Sequence, residues 1–286
     1  MNRIAFLSMD DLTDFVTDDE LSILPLNQLG MEVDTISWKA KGIRWEDYKV
    51  VIVRSTWDYQ KDLPAYLEAL REIDSRTLLA NPLRIMEWNA DKTYLRELEN
   101  RGGRIVPSLW GSTISGPDAF GKWFDQFESN EIVIKPTVSA NADDTFRLKP
   151  GSSLMSTVQS TFTNRSFMVQ PFLQSIVDEG EYSLFYFHGE YSHAILKTPE
   201  TGDFRVQEEH GGLIQATQIT KRIADAGQRI MDIVGEKPLY ARVDLARIAD
   251  EDFALMEIEL IEPALYFRTD DQSAAKFAQA VNELLK

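Results

Sequence analysis

Tyr240-Ala-Arg242-Val-Asp244-Leu245 and, after a short gap, Leu255-Met-Glu257-Ile-Glu259-Leu-Ile-Glu262 decide how this chain is read. Both runs suit β-strands, and the polar Ala249-Asp-Glu-Asp252 between them predicts an antiparallel hairpin. Alternate side chains of a strand share a face, so Arg242 and Asp244 point one way together, as do Glu257 and Glu259. Facing a cleft, three carboxylates and a guanidinium need a partner. Mg2+ is a natural one, because it takes carboxylate oxygens together with phosphate oxygens. Facing water, the same residues would be the solvated side of an ordinary hairpin. The rest of the chain weighs on that choice.

The 286 residues are enough for a large core and for two or three sub-domains, and 43% hydrophobic and 27% charged content is that of a globular protein. A net charge of −16 argues against binding nucleic acid through its phosphates, though a few cations gathered in one cleft can still serve a small anion. The absence of cysteine removes disulfides and thiolate metal sites and makes a reducing cytoplasm the simplest compartment. No apolar run is long enough to span a bilayer, so no membrane partner is expected. A homodimer is left open.

Residues 1 to about 80 alternate strand and helix patterns, as a small parallel α/β domain does. Strands are predicted at Ile4–Leu7, Val33–Trp38, Val50–Val53 and Thr77–Ala80, with helices over Glu20–Leu29 and Leu63–Ile73, the latter capped by Asp62. A helix over Asp91–Glu99 follows, with Asn89 as its cap. Beyond Pro107 come a helix Pro117–Phe127, strands Ile132–Lys135 and Thr145–Lys149, and then antiparallel strands from Phe167 onward. Helices are predicted over Ala216–Val234 and Ser273–Leu285. His188 and His193 flank a hairpin turn, are expected to face solvent, and give no zinc spacing with His210.

Several segments offer groups for a phosphorylated ligand. Lys92, in the first turn of its helix, opposes the helix dipole unless an anion sits there; it also suits a solvated surface. Lys135 ends an apolar strand just before Pro136 and a loop of small polar residues, Thr137-Val-Ser-Ala-Asn-Ala142. Phe167-Met-Val-Gln170-Pro171-Phe172-Leu173 has backbone groups that cannot all join a central ladder, and an aromatic base could use them; Glu181 would then meet ribose hydroxyls. Lys197, Arg205, His210 and the Gly211-Gly212 pair form a segment that could close over a terminal phosphate or a substrate carboxylate. Arg54-Ser55-Thr56-Trp57-Asp58-Tyr59 follows a strand at the carboxyl edge of the first domain, where open α/β sheets bind ligands. Arg54 could pair with a substrate carboxylate, Ser55 and Thr56 could donate hydrogen bonds, and Asp58 could hold an ammonium. The alternative is a structural turn in which Arg54 pairs with Asp58 and Trp57 packs on the core.

In this order, Trp88-Asn-Ala-Asp-Lys92, Ile134-Lys135-Pro136, Gln170-Pro-Phe-Leu173, Gly180-Glu181-Tyr-Ser183, Phe204-Arg205 to Gly212 and the Arg242/Asp244–Glu257/Glu259 hairpin resemble the ATP-grasp superfamily of carboxylate–amine ligases over nearly the whole length. Arg54–Tyr59 and Glu259-Leu-Ile-Glu262-Pro263 look closest to the D-cycloserine synthetase branch, which cyclises O-ureido-D-serine at the expense of ATP. The resemblance implies an α+β, ATP-grasp fold behind an N-terminal α/β (pre-ATP-grasp) domain, divided at 1–105, 106–172 and 173–286. It implies Lys92 and Lys135 at the phosphates, Gln170, Phe172 and Leu173 at adenine, and Glu181 at ribose. Asp244, Glu257 and Glu259 would hold Mg2+, with Mn2+ as an alternative metal, and Arg242, Lys197 and Arg205 would stabilise the transferred phosphoryl group. Arg54, Ser55, Thr56, Asp58, His210 and Glu262 would meet an amino-acid-like substrate, whose carboxylate is activated as an acyl phosphate for an amine. Two departures stand out: the loop Ser139-Ala-Asn-Ala142 has no glycine, and the last metal ligand is Glu259 instead of asparagine. The competing expectation is a non-catalytic nucleotide-binding protein on the same fold; Arg242 beside the metal residues favours the enzyme.

Overall fold

The computed structural model describes residues 2–114, 116 and 118–286, and it is built on three sheets. The first is parallel, in the order β2-β1-β3-β4, from β1 (Asn2–Ser8), β2 (Met31–Ser37), β3 (Val50–Ser55) and β4 (Leu78–Ala80). Helices α1 (Ile23–Gln28) and α2 (Leu63–Asp74) connect its strands. Asp62 caps α2 as expected, its side chain accepting from the Ala65 amide.

A single helix over 91–99 does not form. The chain makes α3 (Leu83–Asn89), a turn at Asp91–Thr93, and α4 (Tyr94–Asn100). The Asp91 carboxylate takes the Thr93 amide at 2.9 Å, a local bond that competes with helical continuation. Asn89 is therefore not a cap, and Lys92 sits just ahead of α4 instead of in its first turn.

The central sheet, β5-β8-β6-β7, is antiparallel and comprises β5 (Leu109–Gly111), β6 (Ile132–Pro136), β7 (Phe146–Leu148) and β8 (Phe167–Pro171). Helices α5 (Asp118–Phe127) and α6 (Met155–Thr161) help enclose its own core around Phe120, Phe162 and Phe167. Pro117, the expected start of α5, lies outside the described residues. After the short α7 (Gln174–Asp178) comes the third sheet, wholly antiparallel, in the order β11-β10-β9-β12-β13. Its strands are β9 (Glu181–Phe187), β10 (Glu190–Thr198), β11 (Leu213–Ala216), β12 (Tyr240–Ala249) and β13 (Asp252–Glu259), with α8 (Lys221–Val234) and α9 (Ser273–Leu284) packed on it. The helix expected from Ala216 begins only at Lys221, because Leu213–Ala216 pairs with β10 as an edge strand and the Thr220 hydroxyl caps the helix.

The first and third sheets share one core, in which Ile4, Phe6, Val50 and Ile52 meet Phe185, Tyr240 and Phe277. Asn81 pins the two sheets together: its amide donates to the Tyr240 and Leu260 carbonyls at 2.9 and 2.8 Å and accepts from the Leu239 amide at 2.6 Å. His193 belongs to this core, contrary to expectation. It is buried, stacks on Phe185 at 4.3 Å, and burial pushes its imidazole down to about 4. No helix among the described residues is long and apolar enough to cross a membrane.

Candidate active site

The hairpin register is the start of the site. β12 and β13 pair with Arg242 opposite Glu259 and Asp244 opposite Glu257, so the alternation read from sequence brings all of them to one side. That side is not solvated: Arg242 is 8% and Asp244 2% exposed, which disposes of the ordinary-hairpin alternative. They line a cleft of about 1660 Å3, counting its open mouth, between the central sheet, the third sheet and the β3 edge of the first.

The cleft is a mesh of opposite charges. Arg242 holds Asp244 with Nε and Nη2 at 3.0 and 2.9 Å and also bonds Glu259. Lys197 Nζ bridges Glu181 at 2.5 Å and Asp244 at 3.2 Å. The Ser183 hydroxyl, one step along the same face of β9 from Glu181, donates to Asp244 at 2.5 Å. Lys92 Nζ meets Glu257 at 3.0 Å and donates to the Ser139 carbonyl at 2.9 Å, while its own amide donates to Thr137. The Thr137 and Ser139 carbonyls at the start of the 137–142 loop are thus fastened to the turn before α4. Burial by itself would raise the Asp244 carboxyl, but Arg242 and Lys197 hold it at about 2. Burial pushes Glu259 up to about 7 against the pull of Arg242, and pushes Glu262 well above the carboxylate range with help from Glu259 and Glu257. Lys135, half-buried at the end of β6, has no ion pair among the described residues, and burial lowers its ammonium.

At the other end of the cleft the lining turns apolar, with Val133, Phe172, Leu173, Ile176 and Met256. Phe172 carries the Arg147 guanidinium over its ring at 3.6 Å, and Gln170 is tied to the Ser108 hydroxyl at 3.0 Å. The segment after β10 covers the cleft from Phe204 to Glu209. Arg205 lines it but is engaged by Asp203 at 2.6 Å. His210 does not line it; its Nε2 bonds the Asn141 carbonyl at 2.9 Å and so joins this segment to the 137–142 loop.

The segment after β3 contributes to the cleft through different residues from those expected. β3 runs two residues further than predicted, and alternation continues the face of Val50 and Ile52 to Arg54. Arg54 is therefore 1% exposed, pairs with Asp19 at 3.0 Å and stacks over Tyr240 at 5.1 Å. Ser55 bonds Ser8, Thr56 bonds Tyr66, and Asp58 turns outward to Trp38 and Lys39. None of the four lines the cleft, and Arg54 does not pair with Asp58 either. Trp57 and Tyr59 do line it, together with Val16, Glu262 and Tyr266. Sequence reading missed Ser183 and Tyr59, both reachable by alternation or by proximity to the edge; Tyr266 and Val16 carry no local signal.

The donor set suits Mg2+ chemically, being oxygen only. Among the described residues no group of three or more His, Asp or Glu side chains stands close enough to cage a metal alone. Mg2+ does not ask for such a cage; it commonly takes one or two carboxylates and fills its octahedron with phosphate oxygens and water.

Comparison with known proteins agrees with this geometry. Residues 4–81 match the family model of the D-cycloserine synthetase DcsG N-terminal domain, and residues 119–269 that of the prokaryotic glutathione synthetase ATP-grasp domain. The chain is 28% identical to the cycloserine biosynthesis protein DcsG of Streptomyces lavendulae, with 90% of each chain covered. It is 25% identical to a glutathione synthetase of Prochlorococcus marinus strain MIT 9313, covering 61% of this chain and 56% of that one. The crystal structure of D-cycloserine synthetase DcsG superposes with a TM-score of 0.87 over all of both chains at 24% identity. The D-alanine–D-alanine ligase of Bacillus anthracis does so at 0.69 over 100% and 97% of the two chains, at 14% identity. With more than half of its length answering to the glutathione synthetase model, the chain belongs to the ATP-grasp family.

Proposed function

We propose that this protein is an ATP- and Mg2+-dependent, ADP-forming ligase that activates the carboxylate of a small amino-acid-like molecule as an acyl phosphate for attack by an amine. Within that reading, ATP lies between the 106–172 and 173–286 parts, and the substrate faces 1–105. The intramolecular version of the reaction, a ring closure, is favoured by the match to the D-cycloserine synthetase N-terminal domain over the part that faces the substrate.

The observation that carries the reading is the charge mesh on the hairpin. Lys92, Lys197 and Arg242 are buried cations, each already balanced by a carboxylate of the same cleft. A triphosphate brings negative charge for the cations, and Mg2+ brings positive charge for the carboxylates, so both sets can change partners without leaving a bare charge. Lys135 needs no exchange and is assigned to the phosphates directly, with Lys92. Phe172 and Leu173 cover the base, Gln170 supports their strand, and Glu181 takes the ribose. Asp244, Glu257 and Glu259 are the metal residues; bound Mg2+ would neutralise charge on the transferred phosphoryl group. Arg242, Lys197 and Arg205 act on the same charge as fixed donors, which is where positioning and electrostatics do most in phosphoryl transfer. The covering segment Phe204–Glu209 keeps water from the acyl phosphate. A purely nucleotide-binding protein has no use for a guanidinium set between two carboxylates at the metal.

The test is ADP release from ATP and Mg2+ in the presence of O-ureido-D-serine and a panel of D- and L-amino acids, with hydroxylamine added to trap acyl phosphate as hydroxamate. Carboxylate-dependent ADP and hydroxamate are expected. ADP release that no carboxylate stimulates would refute the ligase.

A further inference from the structure

The covering segment between β10 and β11 is folded on itself. The Gly211 amide donates to the Glu208 carbonyl, and the His210 and Gly212 amides donate to that of Gln207. Gly211 has φ +79°, and a Cβ at Gly212 would stand 2.2 Å from the Val206 carbonyl oxygen, so the turn closes this tightly only with glycine at both places. Arg205 is engaged inside the segment, by Asp203. The segment is thus a small tile. Among the described residues, two side-chain contacts are its polar ties to the rest of the chain outside the strands it connects.

One tie is the bond from His210 to the Asn141 carbonyl, toward the central sheet. The other runs toward the first sheet and is ionic. Arg268 Nη2 lies 2.7 and 2.6 Å from the two carboxylate oxygens of Glu208, and Nη1 of the same guanidinium donates to Asp18 at 2.9 Å. Asp18 belongs to the loop between β1 and α1, and its side chain is only 10% exposed. Arg268 follows Tyr266, a cleft-lining residue whose ring centroid lies 4.9 Å from the guanidinium. A single cation therefore joins the tile to the first part of the chain.

Charge makes this joint more than a fastening. Two carboxylates meet at one guanidinium, so without the cation Glu208 and Asp18 repel each other across the same gap. The joint is also partly exposed, with 31% of the Arg268 side chain and 29% of the Glu208 side chain open to solvent. Such pairs are individually weak, which lets the tile lift once per cycle.

Resting on the ligase reading, we infer that Arg268 is a positioning residue that sets the covering segment against the first part, so that closure over nucleotide and over substrate is one event. With the joint broken, water reaches the acyl phosphate. It breaks the bond between the acyl carbon and the bridging oxygen, returns the carboxylate, and releases inorganic phosphate with a proton lost to solvent. ATP is then consumed without product.

The experiment uses the full chain with Mg2+ and a non-hydrolysable ATP analogue. Trypsin cleavage of the Arg205–Val206 bond is followed by mass spectrometry and normalised to an unfolded peptide of the same sequence. Arg268→Gln should be cut at least about 3-fold faster than the wild type, and Glu208→Gln faster by less. The double variant should fall back to the Glu208→Gln rate, because the repulsion leaves with the carboxylate. Raising NaCl from about 0.05 to 0.5 M should speed cleavage of the wild type and slow that of Arg268→Gln, since it screens attraction in one and repulsion in the other. In turnover, with whichever acid of the panel stimulates ADP release, Arg268→Gln should form more ADP than product where the wild type forms equal amounts, and Arg268→Lys should recover part of the match. Cleavage of Arg268→Gln at the wild-type rate, effects of the two substitutions that simply add, or matched ADP and product in a variant whose tile opens would each overturn the inference. A lack of any carboxylate-dependent ADP would remove the ligase reading and the coupling with it, while cleavage would still decide whether Arg268 holds the tile.

Discussion

Arg54 offers the sharpest contrast between a substrate residue and a structural one. Its guanidinium is 1% exposed, donates to Asp19 at 3.0 Å and to the Pro263 carbonyl at 2.9 Å, and lies 5.1 Å from the Tyr240 ring centroid. Arg54→Ala leaves Asp19 without its countercharge, and breaking a buried pair in this way costs about 3–5 kcal/mol. Asp19 retains 17% side-chain exposure and can rehydrate in part, which favours the lower end for that term. The stranded Pro263 carbonyl adds about 1–3 kcal/mol, and the lost stacking about 1 kcal/mol. These losses share one site and do not add in full, so the expectation is about 4–5 kcal/mol. That is a large share of the roughly 5–15 kcal/mol that holds a domain. Urea unfolding followed by circular dichroism measures it, and for a chain of 286 residues the melting midpoint should fall by roughly 7–8 °C. Arg54→Met combined with Asp19→Asn should regain at least about 1 kcal/mol over Arg54→Met alone, because the orphaned charge goes too. If Arg54→Ala stays within about 0.5 kcal/mol of the wild type while the substrate KM rises sharply, the burial argument is wrong and Arg54 meets the substrate carboxylate after all.

Lys135→Ala should weaken ATP by about 1.5–3 kcal/mol and adenosine far less, measured by titration calorimetry; equal weakening of both would place Lys135 away from the phosphates. Glu257→Gln should cut ADP release by about 100-fold or more with the far-UV spectrum unchanged, and a variant that turned over normally would remove the hairpin as the metal site. His193 titrates near 6.5 in the unfolded chain and about 4 in the fold, so the unfolded state binds more protons between those values. Its contribution is complete above pH 6.5 and is lost as the pH falls toward 4, by up to about 3 kcal/mol. His193→Gln should flatten that part of the stability–pH curve, and an unaltered slope would show that His193 is not the group responsible.

The arrangement of metal and phosphate residues was legible because strand alternation is local. Once Arg242–Asp244 and Glu257–Glu259 are placed on paired strands, period two brings their side chains to one face, and the register has only to set them opposite each other. The same rule extended by two residues along β3 would have turned Arg54 inward with Val50 and Ile52, but where a strand stops depends on its neighbours, and Ser55 is carried by its pairing with Ser8. Asn89 and His193 were misread for a related reason. A polar side chain next to a helix start or a hairpin turn looks like a cap or a surface group, and only the packing of β13 or of Phe185 against it supplies the partners that bury it. The charge mesh, the split of α3 from α4 and the bare carboxyl of Glu262 lie further still from local pattern. Composition and alternation determined the sheets, the family resemblance and the list of charged groups; which charges are paired, and which one each side of the cleft leaves open, was decided only by folding, because an ion pair depends on the distance between segments that sequence places as many as 165 residues apart within the cleft, as for Lys92 and Glu257.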